Sequence, residues 1–185
     1  MRKARAAIFL SAVAVVFIVG GTLCAQTPTK PKVPYKAVVR SAPEIAWRDL
    51  SGAHRTTAAF LGRPVVVLIA PDANDKSFRR QVRRLRPSFN RLTASNAALL
   101  VAFSRSDDIR IPSDIPFIVA ANGAKVDADF AANGQYRIAI IGRDGNLDYI
   151  TSKVIPGQRV VDVIINSYAS QAAERAKQVS QMAND

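Results

Sequence analysis

Few residues of this chain could do chemistry, and its only thiol stands near the start. The 185 residues include one cysteine, Cys24, and one histidine, His54. A basic start and the apolar run Ala6–Val19 precede Cys24, and small residues continue to Ala25. This is the pattern of an export signal that is cleaved after Ala25. A mature chain beginning at Gln26 would have no thiol and could form no disulfide.

Two alternatives remain open for this N-terminal segment. The apolar stretch Ala6–Ala25 reaches the roughly 20 residues that a membrane-spanning helix needs, so it could stay uncleaved as an anchor. A lipoprotein modified at Cys24 needs small residues just before the cysteine, and Leu23 is not small. We predict a periplasmic or secreted protein, with anchoring in the inner membrane by the N-terminal helix as the alternative.

Asp72 and Asp75 form the first carboxylate pair that could take part in catalysis. They lie in a short loop between an apolar run and a helical pattern. Paired carboxylates can act as general acid and base. They can equally satisfy free amides at a helix start, with Asp72 as the N-cap and Asp75 completing a capping box. The loop remains the candidate site for an enzyme of unrecognised chemistry, with Arg80 as a further participant.

A stripe of cations follows on the predicted helix. Spacings of three and four residues place most of them opposite the apolar face, with the last on a flank. The set comprises Lys76, Arg79, Arg80, Arg83, Arg84 and Arg86. Such a face could bind an acidic protein or an anionic envelope surface, while a solvated surface is the alternative interpretation. The stripe lacks interleaved aromatic residues, which argues against single-stranded nucleic acid as a partner.

The remaining polar motifs predict no metal, no cofactor and no hydrolase. Asp144, Asn146 and Asp148 have the alternating spacing of a calcium loop, but the glycine and glutamate that such a loop needs are missing. An Asp-Gly hairpin turn is therefore expected there. His54 is the only histidine, so a metal site built on several histidines is excluded. A Ser-His-Asp triad would have to use His54, and the sequence has no Gly-x-Ser-x-Gly motif to present the serine. We expect His54 on the surface.

Composition divides the chain into four parts. Residues 1–25 are the predicted signal, 26–43 a Pro- and Lys-rich linker that is stiff and extended, 44–175 the globular domain, and 176–185 a polar tail. The domain is long enough for one core and too short for two.

The net charge of +12 falls to +9 without the signal, which carries three basic residues and no acidic one. Such a surplus favours anionic partners and says nothing about fold.

Periodicity predicts the elements that would position these residues. The β-branched run Pro64–Ala70 indicates a strand buried on both faces. Apolar residues recur every three or four positions over 78–92, which predicts a helix, and Pro87 should kink or split it. Ala97–Phe103 is a second buried strand. Together they form a βαβ unit with a right-handed crossover.

The second half is predicted as two strands and a helix. Residues 104–116 read as loop, and 117–134 could hold a strand at 117–119 or a short helix at Val126–Ala132. Tyr136–Ile141 and Leu147–Thr151 predict a hairpin. Gly157 opens a last helix, whose polar extension from Gln171 should project and fray. Its predicted buried face comprises Val160, Val161, Ile164, Tyr168 and Ala172.

The order βαβ, connecting segment, ββα is the thioredoxin plan, a central mixed sheet with helices on both faces. The segments Ala70-Pro71-Asp72 with Asp75, Arg79-Arg80-Gln81, and Ile140-Ile141-Gly142-Arg143-Asp144-Gly145 resemble the signature of a bacterial family known only as domain of unknown function 4174. The resemblance covers Arg63 to Glu174. It implies an exported, thioredoxin-like domain and brings no established activity with it.

The features of a redox site are missing from this plan. Redox members of the fold carry two cysteines at the helix start, where the helix dipole lowers the thiol pKa, and a proline just before the third core strand. Here the loop Pro71–Asp75 holds no nucleophile, and Gln135 and Tyr136 replace the proline. We therefore predict no thiol oxidoreductase activity and a non-catalytic binding module. The alternatives are an enzyme that uses Asp72 and Asp75, and a structural envelope protein anchored through residues 1–25.

Overall fold

The computed structural model describes residues 40–105 and 111–182, so the predicted signal and most of the predicted linker lie outside the described residues. The strands in these residues are β1 (Ala46–Arg48), β2 (His54–Thr56), β3 (Val65–Ala70), β4 (Ala98–Phe103), β5 (Ile118–Val119), β6 (Arg137–Ile141) and β7 (Leu147–Thr151). The helices are α1 (Lys76–Leu85), α2 (Phe89–Ala94), α3 (Gly123–Asp129), α4 (Gly157–Ile165) and α5 (Tyr168–Met182).

Five strands form one mixed sheet in the order β5-β4-β3-β6-β7. The central strand β3 pairs parallel with β4 and antiparallel with β6. β1 and β2 form a separate antiparallel hairpin. The predicted βαβ unit and the β6–β7 hairpin are confirmed, whereas the β1–β2 hairpin was not predicted.

β3 is buried on both faces, as its unbroken apolar sequence predicted. Val66 and Leu68 belong to a core cluster that includes residues of α1, α2 and α4. Val67 points into a second cluster on the other face, with residues of α3 and the stacked rings of Trp47 and Phe60, whose centroids are 4.6 Å apart. The sheet therefore has a layer of packed side chains on each side.

The helix after β3 is split at the predicted place. α1 ends at Leu85, a 3₁₀ turn covers Arg86–Ser88, and α2 starts at Phe89. Pro87 lies in the turn, where the missing N–H and the rigid ring interrupt the α-helical hydrogen bonds. Both pieces still bury their apolar side against the sheet, with Phe78 on α1 and Leu92 on α2 in one cluster.

In the ambiguous stretch 117–134, the strand and the helix both occur. β5 is a two-residue edge strand parallel to β4. α3 begins at Gly123, ahead of the predicted Val126, because the side chain of Asn122 accepts a hydrogen bond from the backbone N–H of Lys125 (2.9 Å) and caps the helix.

The last helix was predicted as one and is two. α4 ends at Ile165, and α5 restarts at Tyr168 with the Ser167 hydroxyl accepting from the backbone N–H of Ser170 (3.2 Å). The prediction of a buried Ala172 was wrong, because the break turns the chain and leaves Ala172 exposed. The polar extension is helical up to Met182 instead of frayed.

Domain contacts begin before Glu44, where the sequence predicted the domain to start. The N–H of Leu147 donates to the Arg40 carbonyl (2.8 Å), and the N–H of Ala42 donates to the Gly145 carbonyl (3.0 Å). The segment before β1 is thus tied to the β6–β7 turn. None of the helices in residues 40–105 and 111–182 is long and apolar enough to cross a membrane.

Candidate functional site

The candidate loop between β3 and α1 uses both of its carboxylates to hold backbone amides. Asp75 is the N-cap of α1, and its Oδ1 accepts from the N–H of Phe78 (2.8 Å). Asp72 Oδ1 accepts from the N–H of Asn74 (2.8 Å) inside the turn that precedes the helix. The prediction of Asp72 as N-cap was therefore wrong by three residues, because the chain makes one more turn before the helix begins. The two carboxylates serve the local backbone.

The predicted basic face is present, and all six of its cations are exposed. Phe78, Gln81 and Leu85 are buried on the other side of α1, so helical geometry turns the cations outward. Arg86 pairs with Asp114, with Nη2 and Oδ1 2.9 Å apart. No other cation of the face forms an ion pair within the described parts of the chain.

An apolar pocket of about 170 Å³ opens beside this face. Phe78 and Val82 from α1 and Ile111 and Pro112 from the segment before β5 supply its apolar lining. Arg79, Arg83 and Arg86 supply its polar lining. Sequence reasoning missed this pocket because it took residues 104–116 as a polar loop, and contact with α1 gives Ile111 and Pro112 their role.

The cations of the face differ in their relation to this pocket. A second depression, about 280 Å³, is lined by Lys76, Arg79, Arg80 and Arg83. Arg79 and Arg83 therefore border both concavities, Arg80 borders only the second, and Arg84 borders neither. The helix thus carries a pair of arginines at the pocket and another pair away from it.

Gln81 is a fully buried polar residue that sequence reasoning did not single out. Its Nε2 donates to the Ile155 carbonyl (3.0 Å), and its Oε1 accepts from the Ile155 N–H (2.9 Å) and from the Tyr136 hydroxyl (3.2 Å). The sequence feature that could have identified it is a glutamine on the apolar side of the helical pattern, next to Val82. These bonds tie α1 to the chain on both sides of the β6–β7 hairpin.

Tyr136 is buried just before β6, and with Gln135 it stands where the sequence analysis looked for a proline. Burial, with a smaller contribution from the Asp75 carboxylate, raises the pKa of the Tyr136 phenol far above its usual value. The phenol is therefore a permanent donor to Gln81 at neutral pH.

The Asp-Gly turn between β6 and β7 is confirmed. Asp144 Oδ1 accepts from the N–H of Asn146 (3.1 Å), and Gly145 has a φ of +77°. Partial desolvation, and then the nearby Asp144 carboxylate, raise the pKa of Asp148 to about 6.

In residues 40–105 and 111–182 no group of three or more potential metal ligands occurs. His54 is exposed on β2, as predicted.

Comparison with solved structures identifies the class of fold. Peroxidoxin BcpB from Mycobacterium tuberculosis is 13% identical with a TM-score of 0.51, and the match covers 68% of this chain and 94% of that one. A thiol:disulfide interchange protein from Bacteroides sp. is 16% identical with a TM-score of 0.53, covering 71% and 93%. Conserved protein BF1870 of unknown function from Bacteroides fragilis is 10% identical with a TM-score of 0.52, covering 66% and 95%.

The chain therefore has a thioredoxin-like α/β fold, as its sequence predicted. No protein-family model matches the sequence, and no curated protein matches it either. At 10–16% identity the solved structures establish the fold alone. The described loop at the start of α1 holds aspartates and no cysteine.

Proposed function

We propose that this protein is a non-catalytic, thioredoxin-like binding module that docks an acidic protein or an anionic envelope component through the outer face of α1. One observation carries the proposal. Lys76, Arg79, Arg80, Arg83 and Arg84 are exposed along one helix, and none of them is ion-paired within the described residues. A partner with negative charge would supply the missing counter-charges.

The rigidity of α1 favours docking over a merely solvated surface. Phe78 and Leu85 are almost fully buried, and Gln81 is hydrogen-bonded to Ile155 and Tyr136. The Asp75 cap fixes the start of the helix. The backbone that carries the cations is thus already ordered, and a partner would have to immobilise only their side chains.

The location belongs to the same proposal. The basic start and apolar run of residues 1–25 support export, with cleavage after Ala25, to the periplasm or the exterior. The motifs around Asp72 and Ile140 support membership of the domain of unknown function 4174 family. An exported module with a surplus of cations would meet anionic polymers and acidic proteins of the envelope.

The use of Asp72 and Asp75 by backbone amides favours binding over catalysis at the α1 loop. In each aspartate Oδ1 accepts a backbone hydrogen bond, so a turn and a helix cap account for both carboxylates without a catalytic role. Asp75→Asn keeps a side-chain acceptor for the Phe78 amide. We expect this substitution to leave partner binding unchanged, which separates the loop from the basic face.

The test is affinity capture after in-cell cross-linking, with partners identified by mass spectrometry. The variant reverses Arg79, Arg80, Arg83 and Arg84 to Glu. The matched control reverses Arg48, Lys153, Arg159 and Arg175, which are equally exposed and lie off α1. Both variants change the net charge by the same amount, so a general charge effect would act on both.

We expect the α1 variant to lose a reproducible acidic partner that the control variant retains. Equal capture by the α1 variant and the original chain would refute the proposal. Equal loss in both variants would also refute it, because the interaction would then follow net charge instead of this face. Circular dichroism of each variant confirms that the fold is intact.

A further inference from the structure

We propose that the pocket beside α1 receives one apolar side chain of an acidic peptide segment, while Arg79 and Arg83 pair with carboxylates that flank it. This inference rests on the proposed function and narrows it to a peptide partner. The pocket combines an apolar lining with arginines at its border, so it matches a ligand that combines an apolar group with negative charge. A purely anionic polymer would use only the charge.

The dimensions of the pocket fit one side chain. Its volume is about 170 Å³, and a protein cavity of about 150 Å³ lined by apolar residues holds one benzene molecule. Phe78, Val82, Ile111 and Pro112 would surround the inserted group with carbon atoms. Burial of a leucine- or phenylalanine-sized side chain is a standard source of affinity at a small site.

The charges at the pocket fit carboxylates. Arg79 and Arg83 are four residues apart on α1, so they are neighbours on one helix face. Neither is ion-paired within the described chain, whereas Arg86 already pairs with Asp114. Each of these two unpaired guanidinium groups beside the apolar pocket can donate two parallel hydrogen bonds to one carboxylate. The proposed ligand is therefore an acidic segment with a central apolar residue.

The experiment measures binding of labelled nine-residue peptides to the purified chain by fluorescence anisotropy. Each peptide consists of Asp and Glu around one central residue, which is Phe, Leu or Ser. We expect the Phe and Leu peptides to bind about ten-fold or more tightly than the Ser peptide. Ile111→Ala removes part of the pocket wall and should reduce this preference.

Two double variants on one helix provide the matched pair. Arg79→Glu with Arg83→Glu reverses the two pocket arginines that have no ion pair among the described residues. Arg80→Glu with Arg84→Glu makes the same charge change outside the pocket. We expect the first variant to reduce the affinity for the Phe peptide about ten-fold more than the second variant does. The second should keep the preference for Phe over Ser. Circular dichroism checks that both remain folded.

Several outcomes would overturn the inference. They are equal binding of the Phe and Ser peptides, no binding of any peptide, or equal weakening by the two double variants. Tighter binding to phosphatidylglycerol vesicles than to any peptide, or self-association abolished by Arg79→Glu with Arg83→Glu, would assign the pocket to another occupant. If capture of a partner still depends on the four arginines, the proposed function stands although this inference fails.

Discussion

At the residue scale, the most consequential side chain is a buried amide on the inner side of α1. Gln81 satisfies both backbone groups of Ile155 and the hydroxyl of Tyr136 in the interior. A buried amide is costly without partners and stabilising with all of them present. The network links α1 to the chain on both sides of the β6–β7 hairpin.

Gln81→Leu should lower the free energy of unfolding by about 3 kcal/mol, because it strands the N–H and the carbonyl of Ile155 without partners. Tyr136→Phe removes only one hydrogen bond to Gln81 and should cost about 1 kcal/mol. Urea denaturation of the two variants measures both values. Equal stability losses would show that the bonds to Ile155 contribute nothing beyond the phenol contact.

Asp148 should give the protein a measurable pH dependence. Its pKa is raised to about 6 in the folded state, above its value of about 3.9 in an unfolded chain. The folded state therefore binds this proton more strongly, and the associated stability is present below about pH 4 and lost as the pH rises through about 6.

Asp148→Asn should remove this loss of stability between pH 4 and pH 7. Because the side chain is exposed, we expect a difference below about 1 kcal/mol between pH 4 and pH 7. Urea denaturation at both pH values compares the two chains, and Asp144→Asn serves as the control for the neighbouring charge. The same pH dependence with and without Asp148 would contradict the prediction.

The residues of the candidate site that lie on one helix could be predicted from the sequence, and those from other segments could not. The cations of α1 repeat every three or four positions, so their common face followed from the sequence. Ile111 and Pro112 come from a different segment, and only packing brings them to Phe78 and Val82. The cap was placed wrongly because Asp72 and Asp75 are both good capping residues, and the sequence does not show where the turn ends.

At the scale of elements, α4 depends on a glycine at its first position. An ideal Cβ on Gly157 would lie 2.4 Å from the Arg84 carbonyl oxygen and 2.7 Å from Ser88 Oγ. The first of these is a backbone atom, so it cannot rotate away. The close approach of α4 to the junction between α1 and α2 therefore requires the absence of a side chain.

Gly157→Ala should destabilise the protein by about 1–3 kcal/mol, because α4 has to move off its neighbours. Ser152→Ala is the control, since Ser152 is exposed just before α4 and should change stability by less than about 0.5 kcal/mol. Thermal unfolding compares the two. A Gly157→Ala protein as stable as the control would show that α4 can shift without loss of packing.

Elements were predictable where a pattern was long and local. β3 and β4 are continuous apolar runs, and Pro87 marked the division between α1 and α2. β1 and β2 have three residues each, too few for a period to show, and the two residues of β5 left a strand and a helix as alternatives for 117–134. The break before α5 was missed because apolar residues continue at helical spacing across Asn166 and Ser167.

At the scale of the whole molecule, the proposed export has a chemical consequence. Cleavage after Ala25 would remove Cys24, the only cysteine. Mass spectrometry of the periplasmic or secreted protein should find Gln26 as its first residue, and the protein should not react with a thiol reagent. Ala25→Leu removes the small residue at the cleavage site and should leave an uncleaved precursor in the membrane fraction.

A full-length chain with a reactive thiol in the membrane fraction would support the anchored alternative instead. Either result bears on redox activity, because thiol exchange needs a thiolate at the site of attack. We expect no reduction of insulin by the protein in the presence of dithiothreitol beyond the rate without it. A rate increase would contradict the prediction of a non-redox domain.

The central place of β3 has a consequence for how the chain is made. β3 is apolar throughout, and its second partner β6 is separated from it in sequence by α1, α2, β4, β5 and α3. Until β6 has been synthesised, one edge of β3 is unpaired, and such an edge readily joins another chain. Chains that stop before Ile141 should therefore accumulate as aggregates or be degraded, so a soluble version has to include β6.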